Sequence, residues 1–185
     1  MIAKLLFVTS NEGKAREASR FLGRQVLARP LEIREIQSLD FAEVARAKAR
    51  EAAAALGETV LVEDSGLSLA TWNGYPGPLT KWVTEAVGEA GLARMLDPFG
   101  DRRAEAVSAL AVASPGGGEV VLAIGRAPGR IAESPRGTNG FGWDVIFVPD
   151  GETRTFAEMK PEEKDAVSHR ARAFAALREL LGSTG

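Results

Sequence analysis

The chain of 185 residues contains no cysteine and a single histidine, His169. Without thiols there are no disulfides and no thiolate metal sites, and one imidazole rules out the histidine-rich zinc patterns. Any metal would have to sit on carboxylates, which suits magnesium or manganese. Charge of either sign is scarcely in excess, since 23 Lys and Arg stand against 25 Asp and Glu for a net charge of −2. That balance gives no general attraction to nucleic acid or to an anionic membrane, so a phosphate ligand needs a locally assembled basic pocket. No apolar run approaches the roughly 18 residues that a membrane span needs. The opening MIAKLLFVTS is too short an apolar stretch for a signal peptide, and a cytoplasmic location is expected. What is present, 45% hydrophobic and 26% charged residues, is the make-up of a globular protein with one well-formed core, read as one domain over 1–185.

Periodicity orders the chain. Residues 5–8 form a short apolar run that reads as a buried strand, and Thr9-Ser10-Asn11-Glu12-Gly13-Lys14 leads from it into a helix stopped at Gly23. A second strand is expected over Leu31 to Ile36. Asp40 with Glu43 then looks like a capping box opening an Ala-rich helix that ends at Gly57. A third buried strand, Thr59 to Val62, runs into Glu63-Asp64-Ser65-Gly66. After the turn-rich Asn73-Gly74-Tyr75-Pro76-Gly77-Pro78, a helix over Leu79 to Leu96 is interrupted near Gly88 and Gly91. Ala104 to Ala113 and Glu119 to Ile124 read as an antiparallel hairpin, with further strands at Gly129 to Ala132 and Val145 to Val148. Ser168 is the expected N-cap of a last helix that stops at Gly182. Strand and helix alternation followed by a hairpin predicts an α/β fold, a mixed β-sheet flanked by helices. In such sheets ligands bind outside the carboxyl ends of strands.

Three polar constellations lie at such places. The Thr9 to Lys14 loop joins a buried strand to a helix N-terminus, where backbone N–H groups and the helix dipole attract anions. It is not a Walker A loop, because Val8 stands where the first glycine belongs and Ala15 follows Lys14. A polar cap with a solvated lysine is the plainer alternative. At Glu63-Asp64 two adjacent carboxylates follow an apolar strand, and alternation along a strand gives them different faces. With Glu35 they would supply the one or two protein oxygens that magnesium takes when phosphates provide the rest; solvated turn formers would look the same. In the stretch from Lys164 to Arg170, His169 and Arg170 sit at a helix start, well placed to donate to an acceptor such as a purine 6-oxo group. A lone histidine is more often structural. Residues 134–147, SPRGTNGFGWDVIF, place Phe141, Trp143 and Asp144 among glycines, two π faces and an acceptor that suit a planar base. The same residues fit a Gly-rich hairpin whose aromatics enter the core.

Taken in order, TSNEGK, VEDSG, NGYPGPLTKW, PRGTNGFGWD and AEMKPEEKDAVSHR closely resemble the inosine triphosphate pyrophosphatase family, the non-standard purine nucleoside triphosphate pyrophosphatases, over Val8 to Ala175. The resemblance implies hydrolysis of ITP, dITP and XTP to the monophosphate and pyrophosphate. It also implies magnesium dependence, manganese being possible, and a homodimer whose subunits fold as two lobes around a central cleft. Carried over, Thr9, Asn11 and Lys14 would bind the triphosphate, with Lys48 assisting, and Ser10 and Ser65 would be further substrate contacts. Glu35 and Asp64 match the metal-binding carboxylates, Glu35 being placed by alignment with Glu32 and Glu43 as alternatives. Asp64, Lys14 and Lys48 are the catalytic candidates, Asp64 orienting or deprotonating the attacking water. Phe141, Trp143 and Asp144, with Lys164, Ser168, His169 and Arg170, match the nucleoside pocket, and Gly142 and Lys81, which falls within the PGPxxKW stretch, would be further substrate contacts. The partner expected is therefore a small-molecule nucleotide, with no nucleic acid and no membrane. Two other readings are a related pyrophosphatase for dTTP or UTP and a nucleotide-binding regulator without turnover. The carboxylates speak against the regulator, since a pure triphosphate binder gains little from extra negative charge.

Overall fold

The structure, a computed structural model, describes residues 6–23, 25–26 and 28–182; Leu5, the start of the first expected strand, lies outside them. Strand β1 (Leu6–Val8) leads into helix α1 (Glu12–Leu22), then come α2 (Phe41–Leu56), β2 (Val60–Leu69), β3 (Pro76–Gly77) and α3 (Thr80–Arg94). Next are β4 (Arg103–Ala113), β5 (Val121–Ile131), β6 (Phe147–Pro149), α4 (Pro161–Val167) and α5 (His169–Gly182). Among the described residues no helix is long and apolar enough to cross a membrane.

The six strands make one mixed sheet in the order β1-β2-β4-β5-β6, with β3 also on β2. β1 runs parallel to β2 and every other pairing is antiparallel. Alternation along β2 and β4 divides the apolar residues between two layers. Val60, Val62, Val107, Ala109 and Ala111 pack with α2, whereas Leu61, Leu110 and Val112 pack with α1 and α5. Where β2, β4 and β5 run on past β1, a third cluster joins Leu67, Leu69, Ala106 and Ile131 to Leu92 and Leu96 and to Phe147 and Phe156. The long strands thus carry two lobes on one sheet.

Local chemistry explains the elements. Asn11 caps α1 by accepting from Lys14 N at 3.1 Å, and Gly23, in the left-handed region, ends it. Asp40 caps α2 through Ala42 N at 2.8 Å. Its expected capping box does not close, because Glu43 accepts instead from the Ser38 hydroxyl at 2.6 Å. α3 is kinked at Gly88, within the region of the expected interruption.

Four expectations are corrected. Residues 31–36 form no strand: Arg29 before them bridges to Val8, while Leu31 and Ile33 pack onto the α2 layer and produce the strand-like alternation from outside the sheet. Glu63 to Gly66 is not a turn, since β2 continues through it, held by its ladder to β4. The two segments expected over 119–124 and 129–132 are one strand, β5 (Val121–Ile131), paired with β4 from Val121 to Arg130. Residues 142–145 form a short 3-10 helix, so β6 begins only at Phe147.

Candidate active site

The β1-facing edge of β2 is interrupted. β1 pairs with Val60 to Val62 and β3 with Leu67 and Ser68, leaving Glu63 to Gly66 with no strand on that side among the described residues. The notch lies just past the carboxyl end of β1, where the Thr9 to Lys14 loop turns into α1, a place that α/β sheets use for ligands. Side chains from both faces of β2 reach it. Asp64 projects on the α2 side, Glu63 and Ser65 on the side of α1 and α5.

On the α2 side, Asp64 is buried and its Oδ2 has no hydrogen-bond partner. Burial pushes its carboxyl up to about 7, against the attraction of Lys14 and Lys48. Lys48, on α2, donates to Glu35 Oε1. Burial works against ionisation of Glu35, yet the Lys48 hydrogen bond holds its carboxyl below the ordinary value. Lys14, from the first turn of α1, stands 3.9 Å from Glu63 Oε2; burial lowers its ammonium below the ordinary value, with Glu63 opposing. Thr9 Oγ1 accepts from Asn11 N at 3.1 Å and so shapes the loop, and Ser10 is exposed beside it.

On the other side a buried charge network forms. Arg170 Nε donates to Glu63 Oε1 at 2.8 Å, one Nη to Glu17, and the other to Ser65 Oγ at 3.4 Å. Ser108 Oγ donates to the same Glu63 oxygen at 2.8 Å. Lys164 Nζ joins Glu17 at 2.8 Å to Asp144 at 2.6 Å. Burial disfavours the charge on Glu17, but Arg170 and Lys164 together hold its carboxyl down to about 2. Burial likewise opposes the Arg170 cation, and Glu63 and Glu17 raise it above its ordinary value. A buried cluster of this kind is costly unless each charge is matched, and here cations and carboxylates alternate.

The aromatic pocket sits on this network. The Phe141 ring centroid lies 5.0 Å from Lys164 Nζ and 5.4 Å from Arg170 Cζ. A cavity of about 120 Å³ opens beside it, lined by Gly13, Glu17, Asn139 and Lys164 among others. The ring rests against the start of α1, where a Cβ on Gly13 would come within 2.3 Å of it. The ring of His169 is fully buried, 5.1 Å from Trp143 and stacked on Phe156 at 6.0 Å. Burial, then Arg170, lowers its pKa well below the ordinary value, so the imidazole is neutral, with neither ring nitrogen hydrogen-bonded. Its helix is seated by Gly125 of β5, where a Cβ would meet His169 O at 2.0 Å.

The remaining expected residues take different posts. Asp144 accepts through Oδ2 from Phe141 N at 2.9 Å and from Lys164, so it clamps the 141–144 turn from within; burial raises its carboxyl above the ordinary range. Ser168 is buried and caps α5 through Ala171 N at 3.1 Å. Gly142 is exposed at the start of the 3-10 turn. Lys81 stands apart: its side chain is 71% exposed and pairs with Glu85 at 3.7 Å, although its charge still acts on Glu35. Glu63 was weighed with Asp64 as a metal carboxylate and instead accepts from Arg170 and Ser108, while Glu17 and Ser108 were not expected at the site. Glu63 is signalled in the sequence by adjacency to Asp64, whereas Glu17 and Ser108 have only helix or strand placement and no motif of their own.

Among the described residues no group of three His, Cys, Asp or Glu side chains is suited to hold a metal. Glu35 and Asp64, two oxygen donors within each other's field, fit instead a hard cation that takes its other ligands from phosphates and water, and the unpartnered Asp64 Oδ2 supplies a free lone pair.

Comparison with known proteins gives the same outline. The chain is 44% identical over 174 residues to a dITP/XTP pyrophosphatase of Methanopyrus kandleri, covering 92% of each chain. It is 40% identical over 191 residues to an inosine triphosphate pyrophosphatase of Kluyveromyces lactis, covering 98% of this chain and 97% of that protein. Among solved structures, a HAM1 protein from Coxiella burnetii superposes with a TM-score of 0.81 at 30% identity, covering 97% of this chain and 98% of that one. A nucleoside-triphosphatase, dITP/XTP pyrophosphatase, from Mycobacterium abscessus gives 0.73 at 41% identity, covering 94% and 97%. The Ham1 family model matches residues 5–180, and the chain belongs to the Ham1 family.

Proposed function

We infer that this protein is a nucleoside triphosphate pyrophosphatase that removes non-standard purine nucleotides, ITP, dITP and XTP, by cutting them to the monophosphate and pyrophosphate. The observation that carries the reading is the notch in β2, where an acidic and lysine-bearing side meets a cation-bearing aromatic pocket across a single strand. The relatives named as inosine triphosphate and dITP/XTP pyrophosphatases support the substrate class. A role on the nucleotide pool places the protein in the cytoplasm.

The triphosphate lies over the Thr9 to Lys14 loop, with Lys14 and Lys48 meeting its charge. Glu35 and Asp64 hold magnesium, or manganese, which when bound neutralises phosphate oxygens and polarises the phosphorus. Asp64 accepts the proton of a water attacking the α-phosphorus in line. The new P–O bond replaces the bond to the bridging oxygen, and pyrophosphate leaves with that electron pair. Lys14 and Lys48 stabilise the charge it carries away. In the metal-free protein burial raises this carboxyl to about 7; a bound cation would favour its ionised form, the one that can accept a proton.

Base selection rests on donors. Arg170 and Lys164 have only N–H groups to offer; after their carboxylate and Ser65 partners each still has hydrogens to spare. A 6-oxo group accepts from them, whereas the 6-amino group of adenine sets donor against donor and leaves a buried donor unpaired, a loss of about 1–3 kcal/mol. Phe141 and Trp143 supply the faces on which the ring stacks. The subunits pair as a homodimer, and Trp82, at 62% exposure the most open large apolar side chain among the described residues, belongs to the contact surface.

Pyrophosphate release from ITP, XTP, GTP, ATP and dTTP, each with and without magnesium, tests the reading. Release from ITP and XTP that needs magnesium and greatly exceeds release from ATP and dTTP is expected. Equal rates on ATP would remove the donor argument, and a preference for dTTP would move the protein to a pyrimidine substrate.

A further inference from the structure

Lys48 is placed where it competes with a cation. Its ammonium donates directly to Glu35 Oε1, and the pair is only partly open to solvent, with Lys48 at 17% and Glu35 at 43% side-chain exposure. Lys48 and Lys14 both attract the Asp64 carboxylate electrostatically as well, so both carboxylates of the metal seat already lie in the field of lysines. No third carboxylate or imidazole completes a metal-binding group among the described residues. A divalent ion entering alone would meet two protein carboxylates, one of them engaged by an ammonium, and would have to be held beside that positive charge. Magnesium dehydrates reluctantly and prefers an octahedral shell, which two carboxylates do not complete. A triphosphate changes both conditions together, because it brings further oxygens for the ion and a competing anion for Lys48.

Resting on the reading of Glu35 and Asp64 as the metal seat, we propose that Lys48 bars free divalent ions from Glu35 and admits them only with a triphosphate, to whose oxygens it transfers its hydrogen bonds. Lys48 is therefore both a phosphate contact and the residue that sets the order of assembly. Linkage fixes the consequence: nucleotide raises the affinity for metal, and metal raises the affinity for nucleotide, by one common factor, and Lys48 is a principal source of that factor.

The experiment measures Mn²⁺ binding to the free protein by the paramagnetic resonance signal of unbound Mn²⁺, and binding of α,β-methylene-ITP, which cannot be cut, by calorimetry. Wild type and Lys48→Arg are expected to bind Mn²⁺ weakly without nucleotide. Lys48→Gln is expected to bind it about 5- to 50-fold more tightly, a coupling of the usual size, while binding metal-free α,β-methylene-ITP more weakly. Adding Glu35→Gln to Lys48→Gln should remove the gain. Thermal unfolding checks that each variant is folded, and Lys48→Ala stands in should Lys48→Gln not be. Mn²⁺ binding by Lys48→Gln that is no tighter than wild type overturns the proposal, as does a gain that survives Glu35→Gln. Because no turnover enters the titration, it is decided separately from ITP hydrolysis: a gain in Mn²⁺ affinity in a protein that does not cut ITP keeps the role of Lys48 and removes the substrate reading.

Discussion

Burial decides what Asp64 is before any metal arrives. Its carboxyl has an ordinary pKa of 3.8 and one of about 7 in the folded protein. Between those values the unfolded chain releases a proton that the folded protein keeps, so the stability of the metal-free protein falls as pH rises through this window and levels off above it. At about 1.36 kcal/mol per pH unit the loss reaches about 4 kcal/mol. Asp64→Asn has no charge to bury. In EDTA at pH 8 it should therefore unfold at a higher temperature than the parent, while at pH 4 the two should coincide. The same variant should lose about 10²- to 10⁴-fold in turnover. A lower or unchanged unfolding temperature at pH 8 would contradict the burial argument, and near-normal turnover would remove Asp64 from the chemistry. At this scale the sequence told much. Asp64, Lys14, His169 and Arg170 stand in motifs, and alternation alone separated Glu63 from Asp64. Glu17 was silent, because an acid on a helix surface is usually solvated. Only the tertiary fold sets Lys164 and Arg170 against it.

Elements were legible where their caps are local and illegible where neighbours decide. Asn11, Gly23, Asp40, Gly57 and Ser168 mark helix ends through side chains or backbone angles written within a few residues, and all act there. β2 ran on through a Glu-Asp-Ser-Gly sequence that reads as a turn, because β4 offers it an unbroken partner. Residues 31–36 alternate like a strand yet find no free partner, the outer edge of β1 being bridged at Arg29. The junction of α1 with the 139–145 segment is of the same non-local kind, and it can be tested. Gly13→Ala places a Cβ 2.3 Å from the Phe141 ring unless the ring moves. The helix itself favours alanine by roughly 1 kcal/mol. We expect unfolding stability within about 1 kcal/mol of the parent, with KM for ITP raised roughly ten-fold and less preference over ATP as the stacking ring is displaced. Unchanged KM and preference would show that Phe141 has no fixed seat on α1.

For the whole molecule, one sheet serves two lobes, and the site lies at the notch along β2, with the α2 layer on one face of the strand and the α1 and α5 layer on the other. The α/β class and the flanking helices followed from periodicity. The notch did not, since it depends on where two short partners happen to stop. Association is a property at this same scale. If Trp82 lies at the contact between two copies, Trp82→Lys should reduce the mass in sedimentation from that of two chains to that of one; an unchanged mass would place the contact elsewhere. The ladder between β2 and β4 has a last implication. Each of the residues Val60 to Leu69 faces one fixed partner on β4, and a displacement by one place turns every side chain over. A single residue inserted between Val62 and Glu63 would turn Asp64 toward Arg170 and Glu63 toward Lys48 of α2. The separation of the Asp64 side from the Arg170 side, on which the proposed hydrolysis depends, is thus kept by the counting of backbone hydrogen bonds between two strands that are not neighbours in the chain.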